Sequence, residues 1–139
     1  MPPIIPLTAY KHVPFVSENI QIIGPNITSA NALMQIRVKQ GDEGSALVTL
    51  NKAAQGLQGV SLTYNPAYTY QDASGNAVAT TATTVLIQID ETTLEALSFN
   101  NPKNSPLTLS YDIHLTKSGD RKRLFCEGQF IIIPGTTYA

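Results

Sequence analysis

The segment Leu107-Thr-Leu-Ser-Tyr-Asp-Ile-His-Leu115 alternates without a break, with Leu107, Leu109, Tyr111, Ile113 and Leu115 on one parity and Thr108, Ser110, Asp112 and His114 on the other. Successive side chains of a strand point to opposite faces, so the segment reads as a half-buried β-strand. The turn cluster Lys117-Ser-Gly-Asp120 follows, and then a second apolar run from Arg121 to Ile133. An antiparallel hairpin with Thr116 opposite Arg121 places Ile113 against Leu124, Tyr111 against Cys126, Leu109 against Gly128 and Leu107 against Phe130, with both apolar sets on one side. A glycine inside such a strand marks a bulge or the close approach of another backbone.

The same period recurs along the chain. Met34 to Lys39 alternates, and a five-residue loop from Gly41 to Ser45 pairs Val38 with Val48 and Ile36 with Leu50. Further strands are expected at Val13 to Ile23, Val60 to Tyr70 and Val78 to Ile89, the last with Val85, Ile87 and Ile89 on one face. Pro14 and the prolines near the start put the first of these at an edge or a bend. Two polar loops run from Gln71 to Ala77 and from Ser98 to Pro106. One short helix is expected after Asp90, whose carboxylate is placed to accept from the orphan amides of the following turn, with Leu94 and Leu97 sealing one end of the core.

A length of 139 residues fits one domain. About seven short strands with frequent turns predict an all-β fold: a single antiparallel β-sandwich over 1–139, with an extended N-terminal arm (about 1–10) and a C-terminal tail (about 134–139).

Charge narrows the function. Only 14% of residues are charged, against about 25% in an ordinary domain, and the difference is filled by Thr, Ser, Asn and Gln. With a net charge of -1 and no charge block, nucleic acid is not an expected partner, because phosphate binding rests on clustered cations. Cys126, alone in the chain and set in Leu124-Phe-Cys126, excludes an internal disulfide and any multi-cysteine metal centre, and reads as a small buried hydrophobe. Met1-Pro-Pro-Ile-Ile-Pro6 lacks the cationic start of a signal peptide. The aliphatic run Phe130 to Ile133 is far short of the ~20 residues that cross a bilayer, so no membrane span is expected.

No catalytic or cofactor motif occurs. His114 and Asp112 share a strand face, as a base and its orienter do, yet any polar strand face brings such neighbours together; His12 is the chain's other histidine. Asp72-Ala-Ser-Gly-Asn76 spaces oxygen side chains like a calcium loop, but its twelfth position is Thr83, and a tight turn explains it. Tyr64, Tyr68 and Tyr70 gather around Asn65-Pro-Ala67 and read as cross-strand packing or, as a candidate site, an interface or stacking platform. Arg37 alternates with Ile36 and Val38 and points outward, as an edge-strand charge or an intersubunit contact. No enzyme, metal or cofactor is expected.

Five segments in order carry a resemblance: Val13-Pro-Phe-Val16, Met34-Gln-Ile-Arg-Val38, Asp90-Glu-Thr-Thr-Leu-Glu-Ala-Leu97, Ser110-Tyr-Asp-Ile-His-Leu115 and Gly128-Gln-Phe-Ile-Ile-Ile-Pro-Gly-Thr-Thr137. In them the chain resembles small β-sandwich proteins of tailed bacteriophages, similar to the immunoglobulin-like N-terminal domain of baseplate upper proteins. The resemblance implies an immunoglobulin-like sandwich made in the host cytoplasm and built into the virion tail as a non-enzymatic subunit near the tail tip or baseplate. Its implied partners are other virion proteins (tail, baseplate or fibre subunits), in a symmetric homo-oligomer. Baseplate upper proteins continue into long helical regions whereas this chain stops at Ala139, which implies a free-standing adaptor or decorating subunit. Two alternatives are a capsid decoration or head-tail joining protein and, from another class, a carbohydrate-binding module using the three tyrosines.

Overall fold

The computed structural model describes residues 4–11, 13–39, 46–97, 106–117 and 119–134. Within them the chain forms β1 (Leu7–Tyr10), β2 (Phe15–Val16), β3 (Ile20–Ile23), β4 (Asn31–Arg37), β5 (Val48–Asn51), β6 (Gly59–Gln71), β7 (Ala77–Ile89), α1 (Glu91–Glu95), β8 (Leu107–Thr116) and β9 (Arg123–Ile133). Two sheets pack face to face as an all-β sandwich. One has the order β1-β9-β8-β4-β5. In the other, β7 pairs with β6 from Gly59↔Gln88 to Gln71↔Ala77. A strand has two edges, so β2 and β3 share the second edge of β7 end to end, at Phe15↔Ile89 and Ile20↔Val85.

The alternation decides what lies between the sheets. Met34, Ile36, Leu109, Ile113 and Phe130 from the five-stranded sheet, and Val60, Val85, Ile87 and Ile89 from the other, are at most 1% exposed. Burying one such side chain is worth about 1.5–3 kcal/mol. Phe15 and Phe130 meet across the gap with ring centroids 5.4 Å apart at 73°, the edge-to-face arrangement that aromatic quadrupoles favour. Leu94 and Leu97 close the core where β7 ends, at 0% and 7% exposure.

Several expectations are corrected. The pairs of the β8–β9 hairpin are shifted by two residues, to Leu109↔Phe130, Tyr111↔Gly128 and Ile113↔Cys126. A step to His114↔Leu124 leaves Phe125 as an extra residue. A shift of two preserves parity, so the apolar faces still coincide. The β4–β5 pairing is likewise Ile36↔Val48 and Met34↔Leu50, and the expected loop from Gly41 to Ser45 lies outside the described residues. The strand expected from Val13 to Ile23 is broken by one extra residue between Val16↔Gln88 and Ile20↔Val85. There Ser17 Oγ accepts from the Ile87 amide at 2.9 Å and donates to the Glu18 carbonyl.

Nor is the sandwich wholly antiparallel. The last four residues of the expected N-terminal arm are β1, paired in parallel with β9 from Leu7↔Phe130 to Tyr10↔Ile133. Beyond Pro134 the expected tail lies outside the described residues. At the helix, the Asp90 side chain makes no capping bond; its carbonyl accepts from Thr93 and Leu94, and Gln58 Oε1 accepts from both the Asp90 amide and the Thr93 hydroxyl.

Candidate functional site

The β6–β7 hairpin outruns its sheet. The last β3–β7 pair is Ile23↔Ala82, and one further clamp joins the Gly24 amide to the Thr81 carbonyl at 2.9 Å and the Thr81 hydroxyl to the Gly24 carbonyl at 2.7 Å. Past that point Ala77 to Thr80 pair with β6 alone among the described residues. Between Asn65 and Ala82 the ribbon carries one charged residue, Asp72, and that carboxylate serves the turn, accepting from the Ser74 and Asn76 amides at 2.9 Å each. The calcium-like spacing is thus an Asx turn. Thr69, Gln71 to Ala77 and Ala79 are exposed.

The ribbon also sorts the tyrosines. Asn65 faces Ala82 but Tyr68 faces Thr80, so one residue is inserted between them. Parity reverses at that bulge: Tyr64, opposite Thr83, lies on the core-side face, whereas Tyr68 and Tyr70, opposite Thr80 and Val78, lie together on the other. The three rings therefore form no single platform. Tyr68 borders an open groove along the sandwich edge, shared with β1, β2 and the Ser17 to Asn19 link.

Arg37 stands apart from the tyrosines. It ends β4 in the five-stranded sheet, opposite Ser110 of β8, and its guanidinium donates to Gln35 Oε1 at 2.9 Å. Because β4 lies between β8 and β5, the reading of Arg37 as an edge-strand charge is overturned. His114 Nδ1 lies 3.7 Å from Asp112 Oδ1 on that sheet's polar face, and His114 is opposite Leu33 and Leu124, whereas the register with Thr116 opposite Arg121 would have set it against Arg123. His12 is outside the described residues.

Cys126 is fully buried, and burial pushes its thiol up to about 11. Its neighbour Tyr111, with Oη 4.0 Å from Sγ, is raised above the usual phenol range, first by burial and then by Cys126. A thiol held protonated at neutral pH is a poor nucleophile. Among the described residues no three His, Cys, Asp or Glu side chains are grouped to hold a metal ion, and no helix is long and apolar enough to cross a membrane.

Sequence reasoning missed one feature. Where β3 leaves its sheet and the β8–β9 turn folds over, a cleft of about 370 Å³ opens between the two sheets. Ile22, Ile27, Leu115, Leu124 and Phe125 contribute apolar walls, and Lys117, Arg121 and Arg123 line the same space with one acid, Asp120. The signal was in the chain: four of its nine Lys and Arg fall between Lys117 and Arg123, a local excess that a net charge near zero conceals. No protein-family model and no curated protein matches the chain.

Proposed function

We propose that this chain is a non-enzymatic structural subunit of a tailed-phage particle, an adaptor of the tail tip or baseplate that works by surface complementarity with neighbouring subunits. The ribbon carries the reading. A two-stranded hairpin is marginal in water by itself, and exposed strand edges are normally blunted with charge. This one keeps a single charged residue over Asn65 to Ala82 and presents Tyr68 and Tyr70 on one face. Such a surface suits being covered by a neighbour, and weak self-repulsion lets many copies pack closely.

The strand order supports an immunoglobulin-like reading of the sandwich. β9-β8-β4 corresponds to the G-F-C sheet with β5 added as C′, and β6-β7 with β3 corresponds to D-E-B.

Mass spectrometry of gradient-purified particles tests the proposal. It expects the chain in mature virions at a few to a dozen or so copies; hundreds of copies would move it to capsid decoration, and absence would overturn the virion assignment. A Tyr68→Lys, Tyr70→Lys variant should fold yet fail to enter particles. Unimpaired entry would remove the ribbon from the interface.

A further inference from the structure

We propose that the cleft between the β3–β4 connection and the β8–β9 turn docks an acidic peptide segment of a protein partner, anchored by one aliphatic or aromatic side chain. At about 370 Å³ the cleft lies at the lower end of the roughly 300–1,000 Å³ of ligand-binding pockets. Its walls, Ile22 of one sheet, Leu115 and Phe125 of the other and Ile27 of the β3–β4 connection, offer an apolar seat for such an anchor. At its margin Ile23, 52% exposed, extends that apolar lining.

Charge selects the partner. Among the described residues Lys117, Arg121 and Arg123 share the lining with a single carboxylate, Asp120, and that acid is engaged at the turn itself, 3.6 Å from the Arg123 guanidinium and accepting from the Arg121 amide at 2.8 Å. The Arg123 side chain is 75% exposed, so it is open to a carboxylate from another chain, which guanidinium binds in paired geometry. Single-stranded nucleic acid would favour several stacking aromatics, and among the described residues Phe125 is the one aromatic lining this cleft. A membrane surface takes an outward apolar face rather than a concave one.

The inference deepens the assembly reading by giving a partner's chemistry, but its test needs no particle. The full chain is titrated, with fluorescence anisotropy as readout, against a labelled twelve-residue Glu/Asp peptide bearing a central Leu-Phe pair. Controls replace Leu-Phe by Ser-Ser or the acids by Gln and Asn; a single-stranded oligonucleotide and phosphatidylserine vesicles complete the set. The acidic anchored peptide should bind at least about fivefold more tightly than either peptide control and weaken with salt. Arg121→Gln with Arg123→Gln should weaken it at least fivefold with an unchanged melting temperature. Lys117→Gln serves should the double variant fail to fold. Equal binding of all three peptides, no saturable binding, insensitivity to the charge variants, or tighter binding of the oligonucleotide or vesicles would each overturn the proposal. A chain that binds the peptide but is missing from virions would overturn only the assembly reading.

Discussion

The hydroxyl of Tyr111 donates to the carbonyl of Ile5 at 2.5 Å, tying two residues 106 positions apart. The bond reaches from the middle of β8, beneath β9, to the segment that leads into β1. It is what a central tyrosine adds over a phenylalanine: the ring fills the core and the polar tip secures the first strand. Tyr111→Phe keeps the ring and removes the donor. It should cost about 1–2 kcal/mol, read as a lower urea midpoint, and should raise amide exchange over Ile5 to Ala9 before the rest of the sheet. Unchanged exchange there would remove the tie from the account.

Gly128, directly opposite Tyr111 in the sheet, leaves room for the same approach. A Cβ at this position would stand 2.5 Å from the Ile5 carbonyl oxygen and 3.0 Å from its carbon. Since those atoms are backbone, Gly128→Ala should displace the β1 lead-in at about 1–3 kcal/mol. Both substitutions act on one carbonyl, so the double variant should lose less than the sum of the singles. A thermal melt of the four proteins measures this.

Ser17 replaces a ladder partner with a side chain. Its hydroxyl is the acceptor for the Ile87 amide, near the end of the core strand β7. Ser17→Ala leaves that amide unpartnered and should cost about 1–3 kcal/mol. Faster hydrogen exchange at Ile87, together with a lower denaturation midpoint, is the expected signature; a neutral effect would mean that the link closes up without the hydroxyl.

Burial of Cys126 and Tyr111 sets an alkaline limit on stability. With the folded thiol near 11 and its ordinary value near 9, the unfolded chain releases its proton first. The thiol's contribution is therefore complete below about 9 and is lost as pH rises toward 11; the raised Tyr111 hydroxyl extends the decline. Urea midpoints should hold constant through neutral pH and fall above about 9, more gently in Cys126→Ala once its lower baseline is subtracted. In native protein at pH 7.5 the thiol should resist alkylation until denaturant is added.

Much of the fold was legible because burial on one side of a strand imposes a period of two. The alternation in Leu107 to Leu115 and the row Val85, Ile87, Ile89 determined strands, faces and a sandwich, and Gly128 announced a close backbone approach. Register was harder: sliding a strand by two residues leaves every side chain on its face, so pattern alone cannot separate Ile36↔Val48 from Ile36↔Leu50. Bulges are quieter still. The insertion before Tyr68 parts Tyr64 from Tyr68 and Tyr70, which even spacing would have aligned.

The sequence by itself thus determined an all-β chain with a charge-poor exterior, since periodicity and composition are local and additive. Only the tertiary structure decided that β1 runs parallel to β9, that Tyr111 reaches Ile5, and that Lys117, Arg121 and Arg123 share a cleft with Ile22 of the other sheet and Ile27 of the β3–β4 connection. Those relations join residues far apart in the chain, and closing the sandwich over one core is what brings them together.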